Sequence, residues 1–200
     1  MTPEEFRELL LQQSPEDIVD QYILTEDPGP HISRAALDKL QIRIREVFAV
    51  PPEHSISMQV VGSAKLGFAI LDKPARLGRP YKPAYRAFDP GASDIDVAVV
   101  SPVVYMKLWH DLAKSGASAA HFPWRGELSA YMLHGWLRPD KFPTGGPPRC
   151  SDWRDLVNHI QRTEDFRYKK LRCGIFHSRY YLKIYQQRGV QAAQRAELDA

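Results

Sequence analysis

The chain has 200 residues, of which 44% are hydrophobic and 26% are charged, and its formal net charge is +3. These values are ordinary for a globular protein, so we expect one domain, or one domain with a helical appendage. A mean hydropathy of -0.41 and the lack of a long apolar run exclude a transmembrane helix. The acidic start MTPEEFRELL is unlike a signal peptide, and Cys150 and Cys173 have neither metal-ligand nor disulfide spacing. We therefore expect a cytoplasmic protein with no membrane partner.

Charge is distributed unevenly along the chain. Residues 1–50 carry ten acidic and five basic side chains, whereas residues 138–200 carry seven acidic and thirteen basic ones. A basic carboxy-terminal third attracts phosphates or nucleic acid, but a solvated Lys/Arg surface is an equally open interpretation.

The first fifty residues predict three helices. Thr2 and Ser14 each precede a proline and acidic residues, which is a typical helix start. A third helix is predicted from Ser33 to Phe48, and the prolines that follow end it. We interpret residues 1–50 as N-terminal helices that pack on the core.

The remainder, residues 51–200, predicts a sheet with helices between its strands. Strands are indicated by SISMQVVG, by the nearly apolar DIDVAVVSP and by the alternating FRYKKLRCGIF. Helices are indicated by VVYMKLWHDLAKSG, ELSAYMLHGWL, SDWRDLVNHIQRT with Ser151 as its cap, and a closing helix from Ser178. The expected fold is therefore α+β, with a small mixed central sheet flanked by helices and an N-terminal helical segment.

Residues 72–92 form an insertion rich in proline, glycine and basic residues. Loops of this length are usually functional or disordered, so this segment is either a lid over a site or a tolerated surface insertion.

Two short motifs carry the chemistry. Asp94 and Asp96 stand two residues apart on a predicted strand, so both side chains point to the same face. The two carboxylates repel each other unless a cation lies between them. Mg²⁺ suits this position because it favours carboxylate and phosphate oxygens. Gly62 lets the backbone turn close to a ligand, Ser63 offers a hydroxyl, and a helix starting there would present free N–H groups to an anion. One turn would bind phosphates while the neighbouring strand holds the metal.

These residues resemble the signature of the DNA polymerase beta-like nucleotidyltransferase superfamily. VGSAKLG followed by SDIDVAVV, within residues 55–101, is similar to its strand, Gly-Ser turn, helix and Asp-x-Asp strand. The resemblance implies that Gly62 and Ser63 contact the β and γ phosphates, and that Asp94 and Asp96 ligate two Mg²⁺ (or Mn²⁺) ions. Lys65 either reaches a phosphate or is solvated.

The chain departs from the superfamily pattern in two respects. Thirty residues separate Ser63 from Asp94, whereas minimal members have a short interval. Active members also supply a third carboxylate from a later strand, but FRYKKLRCGIF presents Lys170, Arg172 and Gly174 there. The substitutes available in the sequence are Glu164, Asp165, Asp140 and Asp152.

The resemblance implies a Mg²⁺-dependent enzyme that transfers NMP from an NTP to a hydroxyl acceptor, in a bacterial defence or toxin–antitoxin setting. The acceptor is left open among a protein, an RNA and another nucleotide, and an operon partner is a further option. The alternative is a catalytically degenerate fold that binds a nucleotide or a partner as a regulator. A nucleic-acid-binding module that uses the basic carboxy-terminal third is a third reading.

The positions of the aromatic residues favour a role in core packing over a role in stacking on nucleic-acid bases. RYYLKIYQQR predicts an amphipathic helix with Tyr181, Ile184 and Tyr185 directed inward, although base stacking is the alternative. The four tryptophans lie among apolar neighbours and are expected in the core; they are Trp109, Trp124, Trp136 and Trp153.

Overall fold

A four-stranded mixed sheet forms the centre of the molecule. The computed structural model describes residues 1–75, 78, 80–116, 124–166 and 170–199. In the sheet, the strand order is β1-β2-β4-β3; β2 and β4 are parallel, and the other two pairings are antiparallel. The strands are β1 (Ser57–Val61), β2 (Asp94–Val100), β3 (Trp136–Leu137) and β4 (Lys170–Phe176).

Helices cover both faces of the sheet, which confirms the predicted α+β class. None of the helices that the structure describes combines the length and the apolar character needed to cross a bilayer. The helices are α1 (Pro3–Gln12), α2 (Pro15–Ile18, continued by a π-helical turn Val19–Ile23), α3 (Arg34–Val47), α4 (Ser63–Leu66), α5 (Pro102–Gly116), α6 (Arg125–Leu133), α7 (Pro148–Ile160) and α8 (Arg179–Leu198).

The alternation of side chains along β2 divides the core into two clusters. Ile95, Val97 and Val99 face α3, α5 and α7, and they are all at most 1% exposed. Ala98 and Val100 face α1, α2 and α8 on the other side of the sheet, which we call the α8 face. The N-terminal helices therefore do not pack as one layer, because α1 and α2 lie on the α8 face and α3 lies on the opposite face.

The prediction of one helix over ELSAYMLHGWL is wrong at its carboxyl end. Helix α6 ends at Leu133, and Gly135 adopts a left-handed conformation with φ +62°. The Gly135 carbonyl accepts a hydrogen bond from His177 N at 2.9 Å, which starts the pairing of β3 with β4. The predicted cap Ser151 is also wrong, because α7 already begins at Pro148.

The insertion over residues 72–92 folds back on the segment before it. Phe68 pairs with Ala87, and Lys73 pairs with Lys82, in antiparallel bridges. The Tyr85 hydroxyl donates to Glu197 Oε1 of α8 at 2.6 Å. The described part of the insertion is therefore anchored on α8; its residues 76, 77 and 79 lie outside the described residues.

Gly135→Ala is expected to destabilise the fold. A Cβ at this position would lie 2.3 Å from Cγ of the Tyr181 ring, and the backbone conformation disfavours any side chain. Overpacking and left-handed backbone strain together predict a loss of about 2–4 kcal/mol in the free energy of unfolding. Denaturant unfolding of the purified variant measures this loss.

Gly126→Ala is the matched control, because a Cβ at Gly126 meets no atom within 4 Å and the residue lies in α6. Replacing a helical glycine by alanine is expected to stabilise by about 0.5–1 kcal/mol. Equal stability of the two variants would contradict the tight contact between Gly135 and Tyr181.

Candidate functional site

The Gly-Ser turn and the paired aspartates meet at one edge of the sheet. In the antiparallel pairing of β1 with β2, Val61 lies opposite Asp96, and Gly62 follows directly. Gly62 has φ 67° and ψ -149°, near a region of backbone space that is open almost only to glycine. A Cβ on Gly62 would lie 3.5 Å from Asp96 Oδ2, so the turn and this carboxylate are in close proximity.

The helix after the turn is shorter than expected. Helix α4 has four residues, and Gly67, which caps its carboxyl end, has φ 87°. One turn of helix sums few peptide dipoles, so the anion site expected from a helix start does not follow from α4. The backbone turn at Gly62 and the side chain of Ser63 remain as the groups that face the cleft described below.

Lys65 points away from the aspartates and contacts the N-terminal segment instead. Its Nζ donates to Thr25 Oγ1 at 2.6 Å and also to the carbonyl of Asp27. Burial lowers the pKa of Lys65, and the charge of Asp27 opposes this shift. Lys65 does not line the cleft, so its contacts support a structural role that ties residues 25–27 to α4.

A cleft of about 910 Å³ opens beside Gly62 and Asp96 on the α8 face. This volume lies within the range of small-molecule sites, about 300–1,000 Å³. Its walls come from the sheet edge, the insertion, α8 and the segment from α6 to the turn after β3. Five basic and three acidic described side chains line it: Lys73, Arg86, Arg138, Arg172 and Arg188, with Asp72, Asp96 and Asp140.

Three of these cations, Lys73, Arg86 and Arg188, have no carboxylate partner among the described residues, and Arg86 donates instead to the carbonyl of Pro83 at 2.7 Å. Arg138 is held by Asp140, with N–O distances of 3.0 and 2.7 Å. Arg188 and Lys73 make no ion pair with any residue that the structure describes, and Arg188 is exposed on α8. The cleft therefore offers uncompensated positive charge close to the Gly-Ser turn, which favours an anionic ligand.

Arg172 occupies the position next to the aspartates. In the parallel pairing of β2 with β4, Arg172 lies beside Asp96, and its Nε forms an ion pair with Asp94 Oδ2 at 2.8 Å. The Arg172 side chain lines the cleft, whereas Asp94 does not. A guanidinium is thus in contact with one of the two carboxylates that were expected to bind divalent cations.

Among the residues that the structure describes, no third carboxylate joins Asp94 and Asp96. Asp165 pairs with Lys39 of α3 at 2.7 Å, across the sheet from the cleft, and Asp140 is held by Arg138. Glu164 is exposed and Asp152 lies on α7, which packs on the face opposite the cleft.

Within the described residues, no three His, Cys, Asp or Glu side chains are grouped to hold a metal ion. The residues outside the described ranges include no carboxylate side chain. The donor set therefore does not fit a two-cation centre.

The ionised form of Asp96 is disfavoured by its surroundings. Burial is the main cause that raises its pKa to about 6, and the neighbouring Asp94 raises it further. The positive charges of Arg172, Lys73 and Arg138 act in the opposite direction. The negative charge of Asp96 in the cleft is therefore only partly compensated by nearby cations.

Aromatic side chains that were expected to be core residues line the cleft. Trp136 packs against Tyr185 with ring centroids 4.5 Å apart, and Tyr131 lies 4.8 Å from Trp136. Of the other tryptophans, Trp153 is buried as expected, whereas Trp109 and Trp124 are exposed. Tyr181, Ile184 and Tyr185, which were expected to be directed inward, line the cleft; Tyr181 and Ile184 are half-buried and Tyr185 is exposed.

Sequence reasoning did not single out the other cleft residues. Arg138, Arg188 and Lys73 come from three separate parts of the chain, and no motif joins them. The mixture of aromatic and basic residues in RYYLKIYQQR was the one available signal for the α8 wall.

Comparison with protein-family models, with curated proteins and with solved structures finds no match to this chain. The likeness to the polymerase beta-like superfamily therefore rests on the quoted motifs alone.

Asp96→Asn is expected to stabilise the protein in a pH-dependent manner. Because the folded pKa of Asp96 lies above its usual value of 3.8, the folded state binds more protons and loses stability as pH rises toward about 6. Asparagine avoids this loss, so the variant should gain about 1–3 kcal/mol near neutral pH and less near pH 4. Denaturant unfolding at both pH values measures the difference.

Asp38→Asn is the control, because Asp38 is an exposed residue that pairs with Arg34 on α3. Its effect is expected to stay within about 0.5 kcal/mol at either pH. A variant Asp96→Asn that is less stable than the parent near neutral pH would show that the Asp96 charge is satisfied in the folded state.

Proposed function

We propose that this chain is a nucleotidyltransferase-like fold that binds a nucleoside triphosphate in the cleft and acts as a regulator rather than as a transferase. The observation that carries the proposal is the position of Arg172. It lies beside Asp96 and forms an ion pair with Asp94, on the strand from which an active relative would supply a third carboxylate.

The cleft has the chemical groups that a nucleoside triphosphate requires. Gly62 and Ser63 offer a turn and a hydroxyl at its edge, and the unpaired cations Lys73 and Arg188 suit phosphate oxygens. Trp136 and Tyr185 supply aromatic surface on which a base can stack. A triphosphate therefore has a polar end and an aromatic end to bind in one cleft.

Transfer of the nucleotidyl group makes a further demand. The attacking hydroxyl must be activated while charge on the phosphoryl group is stabilised, and paired metal ions do both in related chemistry. With two carboxylates, one of them already bonded to Arg172, the site lacks the ligands for such a pair. Binding without transfer is the function that this donor set supports.

Mg²⁺- or Mn²⁺-dependent NMP transfer to a hydroxyl acceptor is the second candidate. The convergence of Gly62 with Asp96 favours it, since that is the arrangement the superfamily signature implies. The Arg172 side chain is 55% exposed, and an exposed ion pair stabilises by only about 0–1 kcal/mol. Moving Arg172 away from Asp94 would therefore cost little free energy. In this case Asp94 and Asp96 would hold the cation, which would stabilise the transferring phosphoryl group.

Binding is tested by calorimetric titration of ATP, GTP, CTP and UTP, each with excess Mg²⁺ and each with EDTA. Saturable binding of at least one nucleotide is expected. Arg188→Gln should weaken it about tenfold or more, since a charged hydrogen bond is worth about 1.5–3 kcal/mol. Arg195→Gln is the matched control on the same helix, because Arg195 is exposed and outside the cleft.

The absence of binding in both buffers, or equal affinities of the two arginine variants, would contradict the proposed site. Transfer is tested separately by incubating the protein with labelled NTPs and Mg²⁺ or Mn²⁺. The proposal expects no pyrophosphate release above that of the variant Asp94→Asn. Release that depends on Asp94 and Asp96 would establish the second candidate instead.

A further inference from the structure

The positive charge next to Asp94 and Asp96 is a protein side chain, the guanidinium of Arg172. Arg172 Nε forms an ion pair with Asp94 Oδ2 at 2.8 Å, and the residue lies next to Asp96 in the sheet. Because it is attached to β4, this positive charge is present at every metal concentration. Asp94 thus has a counterion on the neighbouring strand that does not depend on a metal ion.

The geometry of Arg172 leaves it able to bind a second anion. A guanidinium has donors on three nitrogens, and the contact with Asp94 uses Nε. No described residue accepts a hydrogen bond from the two terminal nitrogens, and the side chain is 55% exposed toward the cleft. Planar, paired N–H groups of this kind suit phosphate oxygens.

A divalent cation at Asp94 would compete with this arrangement. The ion and the guanidinium carry like charges and would share one carboxylate, so binding of Mg²⁺ requires Arg172 to move away. Lys73 and Arg188 line the same cleft and already supply positive charge for a polyphosphate. The phosphate can therefore be neutralised by protein groups alone.

We infer that Arg172 takes the place of the divalent cation, so that the cleft binds nucleoside polyphosphates without magnesium. The inference rests on the proposed function, and it specifies the form of the ligand as the metal-free nucleotide. In this arrangement Asp94 orients Arg172, and the terminal nitrogens of Arg172 contact the phosphates.

The test compares affinities with and without metal. The nucleotide that binds most tightly among ATP, GTP, CTP and UTP is titrated in EDTA and in excess Mg²⁺. The parent protein should bind in EDTA with an affinity equal to that in Mg²⁺, or tighter. Arg172→Gln should weaken binding in EDTA about tenfold or more, while Arg195→Gln should not.

A metal-only measurement complements the titration. Mn²⁺ is added to the parent protein, to Arg172→Gln and to Arg172→Glu, and bound ion is counted by electron paramagnetic resonance. The parent should show no tight site, whereas Arg172→Glu places a third carboxylate beside Asp96 and should gain one. Asp94→Asn combined with Arg172→Glu should remove it again.

The outcomes separate the two proposals. Binding in Mg²⁺ but not in EDTA, or a tight Mn²⁺ site in the parent that Asp96→Asn abolishes, overturns the inference and leaves nucleotide binding intact. The absence of nucleotide binding in either buffer overturns the proposed function. Circular dichroism of each variant verifies that it is folded before its affinity is interpreted.

Discussion

The register between β1 and β2 is the constraint on which the site depends. Val61 opposite Asp96 brings Gly62 to the carboxylate, and a slip of one residue would turn every side chain of β2 to the other face. Such a slip would place Asp96 in the core and Val97 at the cleft, at the cost of burying a charge. The apolar core thus fixes the position of the acids.

The cleft exists because the apolar cover on the α8 face stops before the edge of the sheet. Ala98 and Val100 are covered by α8 and the N-terminal helices, but Asp96 and Arg172 lie beyond that cover and face the cleft. Gly174 lets Trp136 approach the sheet closely, since a Cβ there would lie 2.8 Å from Trp136 Nε1. That indole nitrogen is buried without a hydrogen-bond partner among the described residues.

Local sequence patterns predicted the fold class and the three longer strands, because each depends on short-range periodicity. The proximity of the turn to the acids was expected from the chemistry of the two motifs together, since Val61 and Asp96 are far apart in sequence. They did not predict β3, whose two residues are too few for a periodic signal and are paired only through β4. Arg172 was expected on the strand next to the aspartates, but its ion pair with Asp94 was not predicted, because the two residues are far apart in sequence and meet only through the parallel pairing. The role of Lys65 was also not predictable from local sequence, because its side chain contacts residues 25 and 27, which are distant in sequence.

The nature of the cation at Asp94 separates binding from transfer in physical terms. An arginine stays protonated and donates hydrogen bonds, so it can hold phosphate oxygens but cannot act as a base. A metal ion can also bind the attacking hydroxyl and lower its pKa, which creates the nucleophile. With Arg172 on Asp94, this edge of the sheet presents a protonated guanidinium, which attracts a polyphosphate. The same two aspartates can therefore belong to a binding site or to a catalytic centre, depending on the charge that β4 places beside them.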